Sequence, residues 1–430
     1  MLSSLSQGLK GQFRVPGDKS ISHRAIMLGS LAEGVTQVSG FLEAEDALAT
    51  LKTFQLMGVD IERLGEGRLR INGVGLHGLK APQEDLYVGN SGTSMRLLSG
   101  ILAGQKFDST LTGDHSLTKR PMRRVLDPLS LMGAAVESTD AGTSPLKVHG
   151  GAPLRGIQYK MPMGSAQVKS CLLLAGLYAE GTTEVIEPAI TRDHTERMLK
   201  GFGYSVKTEG NVVSIEGGGA LKGMSIDVPG DISSAAFFLV AASITPNSDI
   251  TLQHVGVNAT RTGIIDILLK MGADIQLLNE KVVGGEKVAD IRVKSCQLKG
   301  IEVPENLVAL AIDEFPVIFV AAAYAEGQTI VTGAEELRVK ESDRIQTMAD
   351  GLQTLGVDAQ ATADGMIING GAVQGGEVES FDDHRIAMAF AVAGLQSRGA
   401  IKINNCENVA TSFPNFVELA TQSGFELAAK

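Results

Sequence analysis

The sequence contains no tryptophan, and aromatic residues make up only 4% of it. Helix and sheet packing must therefore rest on small aliphatic residues, with its 51 glycines supplying many tight turns. Cysteine is scarce as well. Cys171, Cys296 and Cys406 lie far apart and form no CxxC or Cys/His ligand spacing, which argues against a disulfide framework and for a reducing compartment. A basic excess is missing too. The formal net charge is -11, which argues against a nucleic-acid footprint, since phosphate backbones need a cationic surface. Small anions remain possible ligands if the few cations converge.

No apolar run reaches the roughly 18 residues of a membrane span, and the first residues lack the apolar stretch of a secretory signal. We expect a cytoplasmic protein. Several catalytic signatures are also lacking. There is no GxxxxGK[ST] loop, no HExxH, no EF-hand loop and no GxSxG elbow. Gly73 to Gly78 does match GxGxxG, but Pro82 follows and no helix begins there, so the dinucleotide fingerprint fails.

What is present is a sixfold pattern. At 430 residues the chain exceeds one hydrophobic core, so two domains are expected. Six segments open on a polar turn and run into small apolar residues: VPGDKSISHRAIML from Val15, VGNSGTSMRLLSG from Val88 and MPMGSAQVKSCLLL from Met161. The others are VPGDISSAAFFLV from Val228, IDEFPVIFVAAA from Ile312 and FDDHRIAMAFAVA from Phe381. Their starts lie roughly 65 to 85 residues apart, too long for solenoid repeats. A β-rich stretch follows each, then an amphipathic helix ending in glycine and further strands, as in LKTFQLMGVDI and LQTLGVDAQAT. The class is α/β, with three units in each of two domains and a break near Asp227-Val228.

Each polar turn sits at a helix start, where unpaired N–H groups and the helix dipole favour anions. Three such starts per domain, facing one another, would form an anion trap. The turns also gather cations: Lys19 and Arg24 in the first, Arg96 in the second with Lys119 and Arg120 in a trailing hairpin, and Lys169 with Arg192 after the third. Arginine suits bidentate grip of carboxylate or phosphate, and lysine supplies a movable point charge. The later turns add carboxylates. Asp313 and Glu314 precede LRVKESDR, with Lys340, Glu341 and Arg344, and the sixth holds Asp382, Asp383, His384 and Arg385.

Taken in order, GDKSISHR, GNSGTSMR, LTKRPM, SAQVKS, TRDHTE, IDEFP, LRVKESDR, DDHRIAM and TSFPNF resemble the 5-enolpyruvylshikimate-3-phosphate synthase family across nearly the whole chain. The wording of SAQVKS, TRDHTE and TSFP is more similar to the bacterial branch that includes glyphosate-tolerant enzymes. The resemblance implies the two-domain enolpyruvyl transferase fold, an inside-out α/β barrel of six βαβαββ units, three around helices in each domain. It places residues 17–227 in one domain and 1–16 with 228–430 in the other, with hinges near Pro16-Gly17 and Asp227-Pro229.

The implied reaction transfers the enolpyruvyl group of phosphoenolpyruvate to the 5-hydroxyl of shikimate 3-phosphate, for chorismate and aromatic amino-acid synthesis, in a monomer without metal or cofactor. Carried over by motif, Lys19, Ser20, Arg24, Ser165, Ala166, Gln167, Arg192, Asp313 and Lys340 bind shikimate 3-phosphate. Lys19, Gly92, Arg120, Gln167, Arg344 and Arg385 bind phosphoenolpyruvate. Asp313, Glu341 and Lys19 handle protons. Two departures stand out. Thr411 occupies a place where many members carry lysine, so one phosphoenolpyruvate contact is missing or supplied elsewhere. Gly92 stands where several tolerant relatives carry alanine, leaving room for glyphosate.

The related transferase acting on UDP-N-acetylglucosamine typically carries a reactive cysteine in a loop of its first domain. The stretch GDHSLTKRPM has none. A non-catalytic scaffold is the other alternative, and the intact Lys19, Arg120, Asp313, Glu341, Arg344 and Arg385 argue against it.

Overall fold

The computed structural model describes residues 1–429. The chain divides into two compact units, Lys19–Val228 on one side and Met1–Asp18 with the chain from Pro229 onward on the other. Each has its own apolar core.

All six polar turns open helices: Lys19–Leu31, Gly92–Ala103 and Ala166–Gly176 in the first-named unit, and Ile232–Ile244, Phe315–Ala323 and His384–Ala393 in the other. Four starts have side-chain caps. Ser91 accepts from the Ser94 N–H at 3.1 Å and Ser165 from Val168 at 3.3 Å, while Asp231 accepts from Ser233 at 2.8 Å and Asp383 from Arg385 at 3.0 Å. These helices are buried nearly all round and pack on one another within each unit. Their small residues permit that closeness. A Cβ built on Gly100 would lie 2.2 Å from the Cys171 carbonyl oxygen of the neighbouring helix.

Six small sheets surround these helices, one per repeat. In the second repeat Leu86–Tyr87 runs parallel to Ser109–Thr112, which pairs antiparallel with Leu146–His149 and then Ala135–Glu137. The third repeats this order with Gln158–Lys160, Thr182–Ile186, Val212–Glu216 and Val206–Glu209. Three of the other four repeats borrow strands from distant sequence. Ser225–Asp227 leads the first by running parallel to Ala32–Ser39. Lys10–Phe13 leads the fourth beside Asp249–Gly256, and Leu2–Ser4 completes the sixth between Ile401–Asn404 and Glu426–Ala428. In the fifth, only isolated bridges from Lys299 and Glu302 stand in for a leading strand.

Asp18 belongs with the later unit because it is buried there in an ion pair, 3.0 Å from Arg261. The Gly73–Gly78 stretch ends a strand and turns without starting a helix. The hairpin expected around Lys119 is instead a single 3₁₀ turn, Leu117–Lys119, because Asp114 accepts the Leu117 N–H at 2.7 Å and closes the chain early.

Candidate functional site

In the Lys19–Val228 unit, three helix starts carry the expected phosphate-binding groups. Lys19 and Ser20 open the first helix, half-buried, and Lys19 pairs with Asp46. One turn on, the buried Arg24 guanidinium donates to the Ser20 carbonyl at 2.9 Å, to Thr195 Oγ1 at 2.7 Å and to Ser170 Oγ at 2.8 Å. It therefore ties the first helix to the third and to the helix His194–Gly201.

At the second helix start, Gly92 lies against two arginines. A Cβ there would meet Arg120 Nη1 at 3.2 Å and Arg96 Nη1 at 3.6 Å. Arg120 is held by the Asn90 side-chain oxygen, and Asn90 donates in turn to Asp114 at 2.6 Å. The third start presents Ser165, Ala166 and Gln167, all half-buried. The Gln167 oxygen accepts from Arg96, and its amide donates to Thr93 Oγ1 at 3.0 Å. Arg192 lies half-buried in the loop before His194.

The other unit gathers the carboxylates. Arg344 is 1% exposed and donates to Asp383 Oδ2 at 2.8 Å, to Glu341 Oε2 at 2.7 Å and to Asp313 Oδ1 at 3.4 Å. Lys340 Nζ lies 3.4 Å from the same Asp313 oxygen. Arg385 donates to the Asp313 carbonyl at 2.9 Å and lies 3.7 Å from Glu314 Oε1. Asp313, Lys340, Glu341, Arg344 and Arg385 thus form one connected cluster.

Burial alone would push the Asp383 carboxyl up, but the Arg344 charge and its hydrogen bonds hold it below the usual carboxylate range. Burial opposes the Arg344 charge as well, yet Asp383, Glu341 and Asp313 together hold that guanidinium protonated. The turn before Asp383 is strained. Phe381 and Asp382 adopt left-handed φ angles of 52° and 58°, an arrangement that surrounding structure must enforce.

The anion trap expected at all six helix starts is therefore divided. The second and third starts are capped by neutral serine hydroxyls, which leave the positive dipole end for an external anion. In the later unit, Asp231 and Asp383 occupy the cap positions themselves and hold internal arginines, Arg261 at 3.1 Å and Arg344 at 2.8 Å. Asp46, Arg261 and Asp383 were not predicted as site residues, and only Asp383 stood in a quoted motif. Thr411 is buried and donates to the Asn408 carbonyl at 2.7 Å, while the adjacent Ser412 contacts His384 at 3.2 Å. Among the described residues, no cluster of three His, Cys, Asp or Glu side chains could hold a metal. None of their helices is long and apolar enough to cross a membrane.

The family model of EPSP synthase (3-phosphoshikimate 1-carboxyvinyltransferase) matches residues 4–419. A 3-phosphoshikimate 1-carboxyvinyltransferase of Methylococcus capsulatus is 65% identical over 419 residues, covering 97% of this chain and 96% of the relative. One from Alkalilimnicola ehrlichii is 67% identical over 420 residues, covering 97% and 94%. Among solved structures, EPSP synthase from Acinetobacter baumannii superimposes with a TM-score of 0.89 at 60% identity, covering 100% of this chain and 99% of that one. The polar helix starts, the arginine-bound carboxylates and these matches over nearly the full length agree: the chain belongs to the EPSP synthase (3-phosphoshikimate 1-carboxyvinyltransferase) family.

Proposed function

We propose that the protein transfers the enolpyruvyl group of phosphoenolpyruvate to the 5-hydroxyl of shikimate 3-phosphate, forming 5-enolpyruvylshikimate 3-phosphate and releasing phosphate. The observation that carries this reading is the single buried Arg344 holding both Asp313 and Glu341, with Lys340 and Arg385 beside it. Two carboxylates tied to one cation suit a reaction that must take a proton from oxygen and give one to carbon.

In this reading Asp313 accepts the hydroxyl proton as that oxygen attacks C2 of phosphoenolpyruvate, and Glu341, assisted by Lys19, delivers a proton to C3. The C2–O bond to phosphate then breaks, phosphate departs with the proton that Asp313 had taken from the hydroxyl, and a C3 proton returns to Glu341, now the base, as the double bond reforms.

Lys19, Ser20, Arg24, Ser165, Ala166, Gln167 and Arg192 grip the shikimate phosphate and ring, and Asp313 and Lys340 its hydroxyls. Gly92, Arg120, Gln167, Arg344 and Arg385 take phosphoenolpyruvate, and the cations stabilise the charge on the departing phosphate. Residues 17–227 act as one substrate-binding domain and 1–16 with 228–430 as the other, save that Asp18 is held with the second through Arg261. The protein works as a cytoplasmic monomer, in keeping with its three free thiols. Despite its likeness to the branch with glyphosate-tolerant members, the space at Gly92 favours inhibition by glyphosate in competition with phosphoenolpyruvate.

The test is phosphate release from phosphoenolpyruvate with shikimate 3-phosphate, with UDP-N-acetylglucosamine and with no acceptor. Release with shikimate 3-phosphate alone, lost in Asp313→Ala, is expected. Release with the nucleotide sugar alone overturns the acceptor, and no release with any acceptor overturns the reaction.

A further inference from the structure

One charged cluster in the Lys19–Val228 unit takes no part in the chemistry above. Lys169, one turn into the helix Ala166–Gly176, is 1% exposed. Its ammonium lies 2.8 Å from Glu187 Oε1 and 2.7 Å from Glu196 Oε1, and it donates to the Thr191 carbonyl at 3.4 Å. Both carboxylates are buried as well. The other Glu187 oxygen accepts the Thr191 N–H at 3.0 Å and also the Thr191 hydroxyl.

Glu187 directly follows the strand Thr182–Ile186, and Glu196 lies in the first turn of the helix His194–Gly201. One ammonium therefore fixes both ends of the segment between them, and Arg192 sits inside that segment next to the doubly held Thr191. The same ammonium rides on the helix whose first turn presents Ser165, Ala166 and Gln167. Burying one cation with two anions is costly, and well-packed apolar residues are often at least as stable. Packing alone gives no reason for this trio; setting the distance between two groups that must meet one ligand does.

We propose that Lys169 and Glu187 are positioning residues that set the Arg192 loop against the first turn of Ala166–Gly176, and so govern affinity for shikimate 3-phosphate and not for phosphoenolpyruvate. This rests on the reading of Ser165–Gln167 and Arg192 as contacts of that ligand. Glu187→Gln is the informative change. Each Glu187 oxygen faces donors, so a glutamine must turn its NH₂ towards either Lys169 or Thr191 and lose one grip. The fold is spared, because Lys169 keeps Glu196 and the charges then balance.

Calorimetric titration of shikimate 3-phosphate into wild type, Glu187→Gln, Arg192→Ala and the double variant tests this. Glu187→Gln should raise Kd about tenfold, and Arg192→Ala should cost markedly less in that background than alone, as coupled residues do. The KM for phosphoenolpyruvate at saturating shikimate 3-phosphate should stay within about twofold. Full additivity, an unchanged Kd, or an equal rise in both constants overturns the proposal. Lys169→Met serves as a second disruption, read by the same additivity. Failure of the wild type itself to bind shikimate 3-phosphate would instead strike the reading of the site on which this rests.

Discussion

Replacing Asp383 by asparagine should destabilise the protein by about 3 kcal/mol, through loss of a buried charge pair and not of a helix cap. Asp383 is fully buried and takes four hydrogen bonds: from Arg344 Nε at 2.8 Å and Nη2 at 3.2 Å, from Ser342 Oγ at 3.0 Å and from the Arg385 N–H at 3.0 Å. Asparagine caps a helix about as well as aspartate, so the Arg385 bond survives. Its NH₂ must instead face Arg344 Nε or Ser342, two donors. Breaking a buried pair costs about 3–5 kcal/mol when the partner charge is stranded. Arg344 still has Glu341 at 2.7 Å and Asp313 at 3.4 Å, which places the loss at the low end. Asp383→Ala loses the cap too and should cost about 1 kcal/mol more.

Urea unfolding at pH 7, followed by circular dichroism, measures both differences. The pH dependence gives a second check. A carboxylate whose folded pKa lies below its unfolded value contributes stability above the unfolded value and loses it as pH falls through the folded one. Burial raises the Asp383 pKa, but Arg344 outweighs it and the net shift is downward. The gap between wild type and Asp383→Asn should therefore hold from pH 7 down to about 4 and close only in stronger acid. A gap below about 1 kcal/mol at pH 7, or one that closes by pH 6, refutes the assignment of the stability to this ion pair.

Gly92→Ala should weaken glyphosate by about tenfold and phosphoenolpyruvate by less, since the new methyl presses on Arg120 Nη1 at 3.2 Å; equal changes in the inhibition constant and KM would defeat the steric argument. Burial pushes the Cys171 thiol up to about 12, with the Gly100 backbone and the Arg96 charge opposing only in part. Iodoacetamide at pH 8 should therefore leave Cys171 unlabelled in the native protein and label it in urea, and rapid native labelling would contradict its burial.

The helix starts could be read from sequence because each is local. A cap such as Ser91 or Ser165 and the small-residue run behind it lie within one stretch of chain. The borrowed strands could not be read that way, and only the family resemblance placed residues 1–16 with the later domain. Lys10–Phe13 pairs with Asp249–Gly256, and Leu2–Ser4 with strands near residue 400. No periodicity within so short a segment names a partner that far away. The same limit hid Asp46 and Arg261. Asp46 belongs to a helix that read only as amphipathic, and Arg261 stands in no polar turn; both matter through ion pairs that only folding brings together.

The carboxylate caps explain how one repeat can serve two kinds of chemistry. A helix start offers unpaired N–H groups, and whatever caps it decides what else can bind there. Ser91 and Ser165 satisfy a donor without adding charge, so the positive dipole end of each helix stays available to an external anion. Asp383 satisfies the same donor with a full negative charge, which then captures Arg344. That captured guanidinium in turn draws in Glu341 and Asp313. A hydroxyl cap thus leaves a repeat able to hold an anion, and an aspartate cap makes it assemble acids around an arginine. Exchanging Ser for Asp at Ser165 would place a carboxylate where the shikimate phosphate is read to bind, and the repulsion would fall on that ligand first.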